Sequence, residues 1–312
     1  MSEAPRRGRL GRSGWIDVGK RVVKGFGEDA ITDRAAALTY YAVLSIFPAL
    51  IAIVSLVGLF GDPERTTQAL TDIVRDLGPD TAADTFAGPI EQVTDNRGAA
   101  GILLVVGIGT AIWTASGYVG AFTRAANAIY QVEEGRPFWK LRPLQLTVTL
   151  AMVTMLALLV VALVLTGPLA RAVGDAVGVG DTAVTVWGIA KWPALALVVA
   201  AMFAVLYYVS PNVKLPRLRW ITPGGLLAVA IWLLASAAFA FYVANFGSYD
   251  RTYGTLGGVV TFLVWLWLGN IAVLLGVELN AELERGREIE SGVFGAEVSI
   301  QLPPREPADS EP

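Results

Sequence analysis

Apolar residues in this chain gather in long unbroken runs rather than at the spacing of a half-buried helix or strand. The clearest pair reads ITPGGLLAVAIWLLASAAFAFYVANF from Ile221, then GSYDRTYG, then TLGGVVTFLVWLWLGNIAVLLGVELNAEL from Thr255. Each run is roughly 20 residues long and uncharged through its centre, the length a helix needs to cross a bilayer's hydrocarbon core. The same pattern recurs upstream and predicts six transmembrane helices, at about 35–60, 101–122, 143–167, 184–209, 221–246 and 255–280. The fold class is therefore all-α, a polytopic membrane protein. Within the first span Pro48 predicts a kink that frees the carbonyl of Leu44, with Ser45 as one group able to satisfy it. Small residues four apart (Gly107, Ala111, Ala115; Gly254, Gly258; Ala272, Gly276, Asn280) predict close helix contacts rather than chemistry.

The intervals between runs are polar. Residues 1–34 carry eight Lys/Arg and are read as a basic cytoplasmic segment. Trp15, Val18, Val22 and Phe26 recur in it at near-helical spacing, so it is either a helix on the inner membrane surface or a solvated tail that sets topology. Arg6-Arg7 is followed by no apolar run and is not read as a secretion signal. Residues 61–98 hold two apolar stripes (Leu70, Ile73, Val74, Leu77; Phe86, Ile90, Val93) separated by Gly78-Pro79, predicting an extracytoplasmic pair of short amphipathic helices. Residues 286–312 are rich in Glu, Pro and Ser and are expected to be a disordered cytoplasmic tail.

Composition agrees with this pattern. The 312 residues are 54% hydrophobic and only 16% charged, against about 25% charged in an ordinary soluble domain. Charge then orients the helices. Of the 24 Lys/Arg, 18 fall in the N-terminus, the second and fourth loops and the tail, and five in the other three loops. The positive-inside effect then puts both termini in the cytoplasm, in the plasma (inner) membrane. A net charge of −3 gives no sign of nucleic-acid binding.

Candidate chemistry is sparse. The sequence has no His and no Cys, which removes the commonest general base, thiolate nucleophiles and the usual zinc ligands. It has no phosphate-binding G-x-x-x-x-G-K-[ST], no G-x-S-x-G and no H-E-x-x-H. Asp72, Asp76, Asp80 and Asp84 are interrupted by Pro79 and read as a solvated acidic face. No enzyme activity, metal or cofactor is expected. The spans carry only Lys191 and Glu278, both near span ends, where a charge is far less costly than at mid-bilayer. The polar atoms left for a substrate path, or equally for contacts between helices, include Tyr41, Ser45, Trp113 and Tyr242. Arg124 and Arg142, with other basic residues after the second and fourth spans, could attract anionic headgroups or simply set topology.

Four stretches taken together are familiar: AAALTYYAVLSIFPAL, NAIYQVEEGRPFWKLR, YYVSPNVKLPRLRWITPGGLLA, and SYDRTYGTLGG followed by WLWLGNIAVLLGVELNAEL. Over about residues 25–285 the chain resembles the YihY/BrkB family of bacterial inner-membrane proteins. The resemblance implies a six-helix inner-membrane protein. Family members carry three kinds of label: a tRNA-processing ribonuclease, a virulence or serum-resistance factor, and a transporter in envelope biogenesis. The missing His and Cys argue against the first. The matched positions are Tyr41, Pro48, Asn127, Tyr130, Pro211, Tyr253, Gly254 and Glu278, without a division between structural and substrate-binding roles. The expected function is transport or flipping of an amphipathic envelope solute, with the bilayer and anionic lipid as partners. The alternative is a non-transporting scaffold for envelope biogenesis.

Overall fold

The computed structural model describes residues 11–60, 97–156, 180–216, 221–246 and 255–308. Seven helices lie within them: α1 (Arg12–Glu28), α2 (Ile31–Phe60), α3 (Arg97–Ile129), α4 (138–156), α5 (Gly180–Val209), α6 (Pro223–Phe246) and α7 (Thr255–Glu290). An isolated antiparallel bridge, Val213 to Pro304, is the β-type pairing among the described residues. Val105–Ile129, Pro223–Tyr242 and Gly258–Glu290 are long and apolar enough to cross a membrane, and Leu195–Val209 is a shorter apolar segment. Helices α2 to α7 stand where the six apolar runs lie. The predicted amphipathic pair at 61–98 falls almost wholly outside the described residues, as do Tyr253 and Gly254 and the side chains of Pro48 and Lys191.

The chain divides into two compact units. One holds Met1–Ala36, Val119–Ser236 and Leu268–Pro312, and the other Ala37–Tyr118 with Ala237–Trp267. In the second unit Tyr40 and Tyr41 meet edge to face at 5.4 Å, and a methyl added at Gly117 would fall 2.9 Å from the Tyr41 ring. Ser45 donates to the carbonyl of Tyr41 at 2.7 Å. Its hydroxyl therefore serves the preceding turn rather than the Leu44 carbonyl expected to need it.

The first unit has an aromatic core. Tyr207 stacks between Phe203 (5.8 Å) and Phe122 (5.9 Å) and donates its hydroxyl to the carbonyl of Val273 at 2.7 Å. A phenol can be buried here because its one polar atom is satisfied. Gly224 on α6 and Gly276 on α7 touch backbone to backbone, and a methyl on either would collide with the other. Asn280 closes the same contact, accepting from the Gly224 N–H at 3.0 Å and donating to Thr222 Oγ1 at 3.2 Å. The Gly276–Asn280 spacing thus marks a helix contact, as the sequence predicts.

Both ends of the chain depart from expectation. Residues 12–28 are neither a membrane-surface helix alone nor a solvated tail. Val18 is buried, and Arg21 and Gly25, one turn apart on α1, face Glu282 and Glu278, one turn apart on α7. The tail expected to be disordered from residue 286 instead continues α7 to Glu290, and residues 291–308 pack within the first unit. Lys214 N–H bonds to Pro303 O at 2.9 Å and Arg305 N–H to Asn212 O at 3.0 Å, and Ala296 and Leu302 are buried. Composition misleads here because the tail is held by backbone and charged hydrogen bonds, which a low apolar content does not preclude.

Candidate functional site

Polar side chains concentrate at the end of the first unit where α1, the α3–α4 connection, the residues after α5 and the tail meet. Three groupings stand out.

The first follows α3. Asn127, 5% exposed, donates to Glu134 Oε2 at 2.9 Å and accepts from the Asn212 N–H at 2.7 Å. Arg136 grips both oxygens of Glu134 at 2.7 Å and reaches the Ser210 carbonyl, also at 2.7 Å. Burial acts to raise the Glu134 carboxyl, but the hydrogen bonds and charge of Arg136, with Asn127, hold it below its ordinary range. Asn212 ties in the tail: its Nδ2 donates to Glu133 O at 2.9 Å and Glu306 O at 2.7 Å, and its Oδ1 accepts from Glu306 N–H at 3.1 Å. Lys140 meets the Glu306 carboxylate at 3.0 Å. Gly135 belongs to the same contact, since a methyl there would collide with the carbonyls of Glu306 and Pro307. This grouping is a joint. Its bidentate pair and buried amides fix positions, and its acids and bases are mostly committed to one another.

The second grouping joins α3 to α4. A methyl at Gly120 would lie 3.3 Å from Gln145 Nε2 and 3.6 Å from Arg124 Nη1. Arg142 Nη1 donates to Gln145 Oε1 at 3.3 Å. Of the two arginines singled out by sequence, Arg142 bonds to the Gln145 amide, and Arg124 lies with that amide over Gly120, a residue without a side chain. Arg124 is exposed, and Phe138 and Trp139 at the start of α4 are 72% and 74% exposed. An aromatic pair beside basic side chains is the composition of a membrane-interface anchor.

The third grouping surrounds Glu278. Its carboxyl and that of Asp29, the residue ending α1, both lie against Gly25. Burial raises the Asp29 carboxyl, Glu28 and Glu282 add to that, and the neighbouring Glu278 carboxyl and the Arg34 charge oppose it. Arg21 and Arg285 both pair with Glu282. Glu278 is 2% exposed. The inexpensive interfacial position expected for it is thus corrected: it is buried within protein, against Gly25.

Tyr130 packs in the core and lies near Glu284 and Glu278. Trp113 and Tyr242, expected to line a path, are 58% and 47% exposed. Sequence reading missed Asp29, Arg21, Glu282, Glu134 and Asn212, and read Arg136 only as one of the basic residues that could attract headgroups or set topology. The available signal was paired spacing: Arg21/Gly25 and Glu278/Glu282 are each four apart, which puts each pair on one helix face. Among the described residues no group of three His, Cys, Asp or Glu is arranged to hold a metal ion.

The chain is 33% identical over 256 residues to YfkH of Bacillus subtilis, a protein named as ribonuclease-like, covering 82% of this chain and 91% of that one. It is 29% identical over 281 residues to a UPF0761 membrane protein of Alkalilimnicola ehrlichii (86% of this chain, 58% of that one). It is 30% identical over 271 residues to one of Methylibium petroleiphilum (86% and 62%). The chain thus spans under two thirds of the length of these last two relatives. No solved structure matches. The family described as Virulence factor BrkB matches residues 22–297, and the chain, an integral membrane protein, belongs to it.

Proposed function

We propose that this protein moves an amphipathic, anionic envelope solute, a lipid being the simplest case, across the inner membrane. In this reading it has six spans and cytoplasmic termini and is not an enzyme. The observation that carries the reading is the placement of Arg124 and of the Arg142-bonded Gln145 amide over Gly120, with Phe138 and Trp139 exposed at the start of α4. Two cations and an amide around a bare backbone suit a phosphate or carboxylate headgroup. The adjoining rings suit the acyl boundary. The distribution of Lys/Arg along the chain puts this end of the helices in the cytoplasm. The ribonuclease-like name of YfkH is not carried over, because a sequence without His or Cys offers neither the commonest general base nor a thiolate.

Replacing Arg124 and Arg142 by Gln tests the assignment. Movement of a labelled anionic lipid in proteoliposomes should fall at least ~10-fold while topology is unchanged, each lost charge-assisted contact being worth about 1.5–3 kcal/mol at a bound headgroup. Undiminished movement in the double variant refutes the headgroup role. A non-transporting scaffold is favoured by one observation, the exposed Phe294 and Val298 on the ordered tail. It predicts no lipid movement by any variant and co-purification of an envelope protein that is lost in Phe294→Ser.

A further inference from the structure

We propose that Asp29 and Glu278 form a binding site for a single exchangeable proton, built where the α1–α2 turn abuts α7. Two geometric facts carry this. Both carboxyls lie against Gly25: a methyl there would collide with Glu278 Oε1 and fall 3.4 Å from Asp29 Oδ2. Two ionised carboxylates placed together there would repel one another, which favours a proton on one of them. The second fact is that Glu278 Oε2 is buried with no hydrogen-bond partner, on a residue 2% exposed. An ionised carboxylate in that position would leave a charged oxygen with neither water nor donor, a cost of several kcal/mol. A carboxylic acid donating from its other oxygen leaves a far weaker acceptor there.

The nearby bases make their hydrogen bonds to other groups, although the charge of Arg34 acts on Asp29 and that of Arg285 on Glu278. On α1, Arg21 pairs with Glu282. On α2, Arg34 donates to the backbone carbonyl of Asp29 at 2.7 Å. On α7, Arg285 donates to Glu282 at 3.2 Å and to the tail carbonyls of Ala296 and Glu297 at 3.0 and 2.8 Å. The other groups acting on the pair are the acids Glu28 and Glu282 and the buried phenol of Tyr130 at the end of α3. Two carboxyls in contact, further surrounded by acids, retain one proton between them. A metal cation is not the ligand the space fits. Glu278 Oε2 has essentially no accessible surface, and hard cations require a shell of several oxygens around the ion.

Losing the proton would set two negative charges against each other across the α1–α2 turn and push that turn away from α7. The site is therefore a proton-controlled joint. Its linkage to solute movement rests on the transport reading above, whereas proton binding itself does not.

The test is infrared spectroscopy of the full-length protein in lipid nanodiscs, titrated with pH. A carbonyl stretch of a protonated carboxylic acid should persist at neutral pH. It should disappear on alkalinisation with a midpoint at least one pH unit above that of an ordinary carboxyl, corresponding to at least ~10-fold tighter proton binding. Glu278→Gln, which mimics the protonated shape, should abolish the band. Asp29→Asn should abolish or displace it, and Glu282→Gln should leave it in place. Absence of the band at neutral pH in the parent overturns the proposal, and so does a band unchanged in both Glu278→Gln and Asp29→Asn. Because no transport is measured, failure of the site and failure of the transport reading are separate results.

Discussion

Replacing Asn212 by Ala should loosen the C-terminal strap without unfolding the helices. The Asn212 side chain makes three hydrogen bonds. Two of them, Nδ2 to Glu306 O at 2.7 Å and Glu306 N–H to Oδ1 at 3.1 Å, hold residues 303–308 in place. A net contribution of about 0.5–1.5 kcal/mol each makes the docked strap weaker by about 1–3 kcal/mol, a rise of roughly 5–150-fold in the detached population. The backbone bonds of Lys214 and Arg305 and the Lys140–Glu306 pair remain, so docking still predominates. The chain contains no Cys, so a single reporter can be placed at Leu302, which is buried when the strap is docked. If opening is fast relative to labelling, the maleimide rate follows the open population. Leu302→Cys should then label roughly 5–150-fold faster in the Asn212→Ala background, and a reporter at buried Ala272 on α7 should be unchanged. Equal labelling at Leu302→Cys in both backgrounds refutes the reasoning. So does parallel acceleration at both reporters, which would mean that Asn212 holds the whole unit rather than the strap.

Other consequences follow from the same geometry. Arg136→Ala strands Glu134 and should cost about 3 kcal/mol, the lower end for a broken buried pair because Glu134 is 25% exposed; denaturant unfolding measures it. Gly276→Ala should destabilise by about 1–3 kcal/mol by wedging α6 from α7, whereas Gly258→Ala, where a methyl meets nothing within 4 Å, should be neutral or slightly stabilising in a thermal melt. The Glu134 carboxyl, held low, contributes stability that is present above the ordinary glutamate range and is lost as pH falls through its depressed value. Glu134→Gln should flatten the acid limb of a melting-temperature profile. Asp29 acts with the opposite sign. Its raised carboxyl makes the fold lose stability as pH rises from the ordinary aspartate range through the folded value, and Asp29→Asn should remove that alkaline loss.

The helices were legible because their signal is one-dimensional. An uncharged run of about 20 residues needs no partner to be recognised, and α5, for example, ends at Val209 as expected. The Gly276–Asn280 contact was legible for a similar reason, since small residues four apart describe a helix face. The polar joints were not legible, because their meaning lies in pairings across 70 to 280 residues. Arg21 meets Glu282, Asn127 meets Asn212, and Glu306 returns to Asn212. Glu278 shows the limit most clearly. Its place near the end of an apolar run suggested a cheap interfacial charge, and only the approach of Gly25 and Asp29 makes it a buried acid. The tail failed in the opposite direction: composition speaks to the absence of an apolar core of its own, not to docking on a scaffold already folded.

The most direct test of the transport reading is the movement of a labelled anionic lipid between leaflets of proteoliposomes that contain this protein alone, with insertion verified by single-Cys accessibility. The account predicts movement faster than in empty vesicles and lowered by Arg124→Gln with Arg142→Gln. Rates equal to those of empty vesicles, with the protein folded and inserted, would contradict it.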